Sequence, residues 1–352
     1  MLVSYFFGAC APEGFCSYAR ELFGRGDRVL VIKGGPGCGK STFMRAVAQE
    51  AKRRGLDAET ILCSSDPDSL DGVRVPALGL SIADGTSPHV LEPELCGGSE
   101  NYVNFGTFYD TEAMRGTEEE IRTVQRENAA CYRHVTACLS AADRLGDSVR
   151  ALTDELSAVR ELDELAQCLS RSVLRPVGQT GDVRRCFLAA ATPKGVTVCA
   201  QTPPALCGRV YVLHDEYGLA PHILQTLRDR AVALGHTCLA GYTPLQAKGA
   251  PAYLLLPQAD TAFVSESSLF GYDGPCFCRI DLDSTVHPRL RQELEYCVQT
   301  RASLLERAAE HMRHAKSLHD RIERLCSPFV DFAGIDALTK KTLAYLFEEK
   351  KS

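Results

Sequence analysis

The chain has 352 residues, 45% hydrophobic and 24% charged, with a formal charge of −6. That is the balance of a folded chain long enough for two domains, and with lysine and arginine scattered rather than striped, no nucleic-acid partner is expected. Sixteen cysteines would suggest disulfides in a small exported protein. However, residues 1–7 carry no basic n-region and no apolar run approaches the ~18 residues of a membrane span, so no membrane contact and a cytoplasmic setting with free thiols are expected.

In chain order, Tyr5 to Ala11 reads as a short strand, Pro12-Glu13-Gly14 as a turn and Phe15 to Phe23 as another short element. Val29 to Lys33 is a β-branched strand, and Lys40 to Arg54 is an apolar-periodic helix with Phe43, Val47 and Ala51 on one face, ended by Gly55. Asp57 to Cys63 predicts a second strand, Ser64 to Gly72 a polar loop, and Leu78 to Ala83 a third strand ending at Asp84-Gly85. Strands alternating with helices predict a parallel sheet with ligands at its carboxyl ends. From Thr117 the period becomes helical. Thr117 with Glu120 suggests a capping box, and Leu145, Val149, Leu152, Leu156 and Val159 form a stripe. A second stripe runs from Leu290 to Leu325 and stops at Pro328. Each stripe is expected to bury against its own core, and a protein partner at the paired helices is the alternative.

Between the first strand and helix lies Gly34-Gly35-Pro36-Gly37-Cys38-Gly39-Lys40-Ser41-Thr42, which fits G-x-x-x-x-G-K-[ST] at every fixed position. The glycines are expected to take positive φ and turn main-chain N–H groups toward phosphate oxygens at the positive end of the helix. Lys40 is expected to neutralise the β and γ phosphates, Ser41 to ligate Mg²⁺, and Thr42 to reach the α-phosphate. Asp84, at the end of an apolar strand, is the expected acidic partner of Mg²⁺; an Asp-Gly turn is the plain alternative. Asp66, Asp68 and Asp71 follow the second strand, and Asp66 is taken as the first candidate to activate a water or an acceptor hydroxyl. His89 is a further, weaker candidate near the γ-phosphate. Cys276-Phe277-Cys278 lacks the C-x-x-C partners of a zinc site, so no structural metal is expected.

The sequence repeats. A shift of about 181 positions aligns Phe6 with Phe187, Pro12 with Pro193, Gly14 with Gly195, Arg28 with Arg209, Val31 with Val212 and Gly37 with Gly218. Two tandem copies are expected, at 1–182 and 183–352, each an α/β P-loop NTPase-like sheet with flanking helices and a helical hairpin. In the second copy Gly34 becomes Asp215, Gly39 becomes Ala220, Lys40 becomes Pro221 and Ser41 becomes His222. Repulsion by Asp215 and loss of the ammonium predict a single nucleotide site, in the N-terminal half.

The 34–42 loop, the stretch from Cys63 to Val73, the segment Asp84 to Val90, and Ala191-Thr192-Pro193-Lys194-Gly195 together resemble an uncharacterised bacterial ATPase-like family with two P-loop halves. The resemblance covers nearly the whole chain. It implies a P-loop NTPase fold and ATP binding, with no implied substrate; in that family the second half can carry its own phosphate loop. No [NT]-K-x-D element occurs to read guanine, which favours ATP over GTP. The expectation is a Mg-dependent ATPase or ATP-driven switch. A small-molecule kinase and a non-hydrolysing nucleotide-binding scaffold are the alternatives.

Overall fold

A computed structural model describes residues 3–23, 26–156 and 159–348. It is an α/β chain with two mixed six-stranded sheets and flanking helices. The arrangement is duplicated. Strand Arg28–Lys33 corresponds to Arg209–His214, helix Lys40–Arg53 to Ala220–Ala233, and strand Leu80–Asp84 to Thr261–Glu266. The small hairpins match as well: Gly8–Ala11 with Gly14–Ser17, and Ala189–Thr192 with Gly195–Val198. Both turn through a positive-φ glycine, Gly14 and Gly195. The chain separates into two compact units, Phe23–Tyr132 with Arg313–Ser352, and Leu2–Leu22 with Arg133–Met312. Each unit therefore draws on both sequence halves, and the repeat boundary at 182/183 is a different division from the compact units.

In the first unit the strands run in the order Glu59–Cys63, Asp66–Val75, Leu80–Asp84, Arg28–Lys33, Glu100–Asn104. Arg28–Lys33 is parallel to both neighbours, whereas Asp66–Val75 is antiparallel to both of its own. The predicted all-parallel sheet is thus corrected to a mixed one, and the predicted polar loop at 64–72 is mostly strand. Only Ser64 and Ser65 join Cys63 to Asp66, a link too short for a crossover, so the chain can only fold back antiparallel. The entry to the central strand is fixed by buried Asp27, which accepts bonds from Ser81 Oγ at 2.7 Å and Arg74 Nε at 2.9 Å. Burying a carboxylate this deeply is tolerated because it is paired and hydrogen-bonded.

The core of this unit joins Phe43, Met44, Val47 and Ala51 of the loop-bearing helix to Val73, Leu80 and Ile82 of the sheet, and to Ile335, Leu346 and Phe347 of helix Phe332–Phe347. A separate cluster packs Val124 and Cys131 of helix Glu118–Leu156 against Ala315, Leu318, Ile322 and Cys326 of helix Arg291–Cys326. The expected stripe on the latter helix is buried from Leu294 through Ile322. Of the stripe expected at 145–159, Val149 is buried, while the side chains of Leu156 and Val159 lie outside the described residues. Thr117 does not cap the helix as expected: its hydroxyl donates to Met114 O, and the cap nearby is Asp110, which accepts from Ala113 N.

In the second unit the central strand Arg209–His214 is parallel to Thr261–Glu266 and Cys278–Asp281, and Tyr253–Leu256 is antiparallel to both its neighbours. Its core gathers Ile223, Leu224 and Leu227 of the helix after the central strand with Leu213, Leu254 and Phe263. Among the described residues no helix is long and apolar enough to cross a membrane.

Candidate functional site

Strand Arg28–Lys33 is buried at Val29, Val31 and Ile32, and it delivers the chain to the glycine-rich loop at the carboxyl edge of the sheet. The glycines divide into two kinds. Gly37 and Gly39 have φ of 76° and 81°, the left-handed region in which only glycine is unstrained. Gly34 and Gly35 do not share it, contrary to the uniform expectation; they are needed for close packing. A Cβ on Gly34 would lie 2.8 Å from Cys38 Sγ and 2.9 Å from Phe105 Cβ, and one on Gly35 would lie 2.9 Å from the Tyr109 hydroxyl. Phe105 in turn packs edge-on against Phe43, tying the loop to its helix.

Lys40 folds back over the loop. Its Nζ donates to Gly34 O at 2.7 Å and Gly35 O at 3.1 Å and stands 3.5 Å from Asp84 Oδ2. Asp84 is adjacent because its strand pairs in parallel register with the loop strand, Ile32 opposite Asp84. Its other oxygen accepts Thr86 N and Thr86 Oγ1, so the Asp-Gly turn and the placement beside Lys40 coexist in one residue. Gly85 permits this approach, since a Cβ there would fall 2.3 Å from Val31 Cγ1. Ser41 Oγ accepts Leu70 N–H at 2.9 Å, and Thr42 is exposed on the first turn. Pro36 presents its carbonyl to the Tyr109 hydroxyl at 2.7 Å. Cys38 Sγ lies 3.1 Å from Gly35 O, and burial pushes its thiol pKa up, against the opposing pull of Lys40.

The remaining candidates are placed differently. Asp66 accepts from Ser69 Oγ at 3.0 Å and lies 3.5 Å from Lys316 Nζ; it makes no hydrogen bond or ion pair with Lys40 or Asp84. Asp71 and His89, separate candidates in the sequence, form a buried pair with His89 Nε2 3.0 Å from Asp71 Oδ2. Two residues without a local sequence signal complete the loop's surroundings. Tyr109 covers Gly35 and Pro36. Glu323 lies over Gly37, on a helix anchored by buried Leu318, Ile322 and Cys326. Its carboxylate is kept below the usual range first by a hydrogen bond from His319, with the Gly37 amide among the further donors.

The corresponding loop in the second unit is closed from within. Asp215, 4% exposed, accepts Leu219 N at 2.7 Å and Ala220 N at 2.9 Å, with the amides of Gly218 and Tyr217 also directed at it. Gly218 keeps the left-handed conformation of Gly37. Burial raises the Asp215 pKa, and these amides act in the opposite direction. The sequence suggested repulsion of phosphate by Asp215; the geometry adds that its carboxylate already fills the cluster of amides. Comparison with protein-family models, with curated proteins and with solved structures gives no match.

Proposed function

We propose that the chain binds ATP with Mg²⁺ at the 34–42 loop of the first unit and hydrolyses it as a nucleotide-driven switch, with one such site per chain. The observation that carries this reading is the conjunction at one sheet edge of left-handed Gly37 and Gly39, Lys40 laid over the loop, and Asp84 3.5 Å from its ammonium. Main-chain amides in such a concavity bind anions, and Glu323 supports this by placing a carboxylate on the Gly37 amide. Ser41 and the Asp84 oxygen facing Lys40 would hold Mg²⁺, which when bound spreads the negative charge of the terminal phosphates. Lys40 would exchange its two carbonyl partners for phosphate oxygens. The filled loop at Asp215 supports the single site, and the family likeness drawn from the sequence points to the same nucleotide.

Calorimetric titration with MgATP, paired with phosphate release in the absence of any acceptor, tests the reading. One ATP per chain and slow release are expected, both lost in Lys40→Ala. Two ATP per chain, or unchanged binding in Lys40→Ala, would overturn it. Binding without turnover would leave a scaffold, and turnover only with an added acceptor would identify a kinase; either refutes the hydrolytic switch.

A further inference from the structure

The carboxyl edge of the second sheet carries a different chemistry from that of the first. There His214 stands opposite Asp281 in parallel register, as Lys33 stands opposite Asn104 in the first unit. Two residues further on come Asp283 and Gly106 respectively. Positions that hold an ammonium, an amide and a glycine in one copy therefore hold an imidazole and two carboxylates in the other. The shared fold requires none of the three.

One donor atom from each of His214, Asp281 and Asp283 lies within 4.8 Å of the others. His214 Nε2 is 3.5 Å from Asp283 Oδ2, long for a hydrogen bond but close to the separation of two ligands about 2.1 Å from a tetrahedral ion. Each group is anchored from behind. Asp283 Oδ1 accepts Glu216 N–H at 3.0 Å, and Asp281 Oδ1 accepts Asp283 N–H at 3.0 Å. Glu266 Oε2 lies 3.5 Å from His214 Nδ1, the arrangement in which a carboxylate orients a metal-bound imidazole, and Arg279 holds Glu266 in place. Among the described residues no lysine or arginine pairs with Asp281 or Asp283, so a divalent cation would supply the missing positive charge.

We propose that His214, Asp281 and Asp283 bind a first-row divalent cation of the Mn²⁺ or Zn²⁺ class, with Glu266 as the positioning residue for His214. An imidazole in the set disfavours Mg²⁺ and Ca²⁺, and the exposure of Asp281 leaves coordination positions for water or a small ligand. The site is independent of the nucleotide loop.

Mn²⁺ is the suitable probe, because the sixteen cysteines would compete for Zn²⁺. Titration of the full chain with Mn²⁺ in the absence of nucleotide, followed by the loss of the free-ion electron paramagnetic resonance signal, should reveal one tight site. Lys40→Ala and Asp84→Asn should retain it. Combining His214→Lys with Asp281→Asn installs the residue types found at Lys33 and Asn104 and should abolish it. Glu266→Gln should weaken it about tenfold. If circular dichroism shows the double variant misfolded, Asp281→Asn alone decides, and its affinity must fall at least about tenfold. Mn²⁺ that stays free, or binds equally well to the ligand variants, would overturn the proposal.

Discussion

Replacing Asp215 with alanine withdraws the carboxylate around which the second loop is folded. At least two main-chain donors at the start of helix Ala220–Ala233, Leu219 N and Ala220 N, lose acceptors at 2.7 and 2.9 Å. A buried donor left unsatisfied costs about 1–3 kcal/mol. Asp215 also lines a small cavity with Arg150, Thr243 and Arg301, through which water can reach part of the loop, so a value in the lower half of the summed range of about 2–6 kcal/mol, about 3 kcal/mol, is expected. For a unit of this size that corresponds to a fall of about 6–12 °C in Tm. Asp215→Asn keeps one acceptor oxygen and should lose about half as much. Because the chain has two compact units, one unfolding curve need not be two-state, and hydrogen exchange at the 217–224 amides is the sharper assay. The folded-state pKa of Asp215 is raised, so its contribution to stability is fullest below the unfolded-state pKa and declines as pH rises through the folded value. Asp215→Asn should remove that decline. A loss under about 1 kcal/mol in Asp215→Ala, with unchanged exchange at these amides, would refute the filled-loop reasoning.

Other expectations follow from single contacts. Glu323→Gln should tighten ATP binding roughly fivefold by calorimetry, since a half-exposed carboxylate on the Gly37 amide competes by about 1 kcal/mol. Gly85→Ala should cost about 3 kcal/mol in urea denaturation, because its Cβ would meet Val31 Cγ1 at 2.3 Å, and should weaken nucleotide binding by displacing Asp84. Exposed Cys96, Cys168 and Cys276 should react with maleimide at neutral pH. Buried Cys10 and Cys238, pushed up to about 12, and Cys207, pushed up to about 11, should react only on unfolding, as mass spectrometry of the adducts would show.

The strand, glycine loop and helix at 28–53 were legible because every determinant is local: β-branched residues, closely spaced glycines and a 3.6-residue stripe. The duplicated order was legible from the gap-free alignment of the copies. What escaped the sequence depends on tertiary neighbours. Asp66 to Gly72 reads as loop by composition, yet pairing with Glu59–Cys63 and Leu80–Asp84 overrides that propensity. Gly34 and Gly39 look alike in the motif, but one accommodates Phe105 and the other a left-handed turn. Tyr109 and Glu323 belong to no pattern near the loop, and only the packing of their own segments brings them there. The His214 cluster was invisible because its ligands come from two strands joined by register and from the turn that follows the second of them.

The interleaving of the units has a consequence for biosynthesis. Ile335, Leu346 and Phe347, synthesised long after Lys40, lie in the same core as the helix that begins there. The glycine loop cannot gain its full support until residues 332–347 have been made, by which point all of Leu2–Leu22 and Arg133–Met312 is already available. A nascent chain stalled before residue 332 should therefore hold its glycine loop on an unfinished foundation.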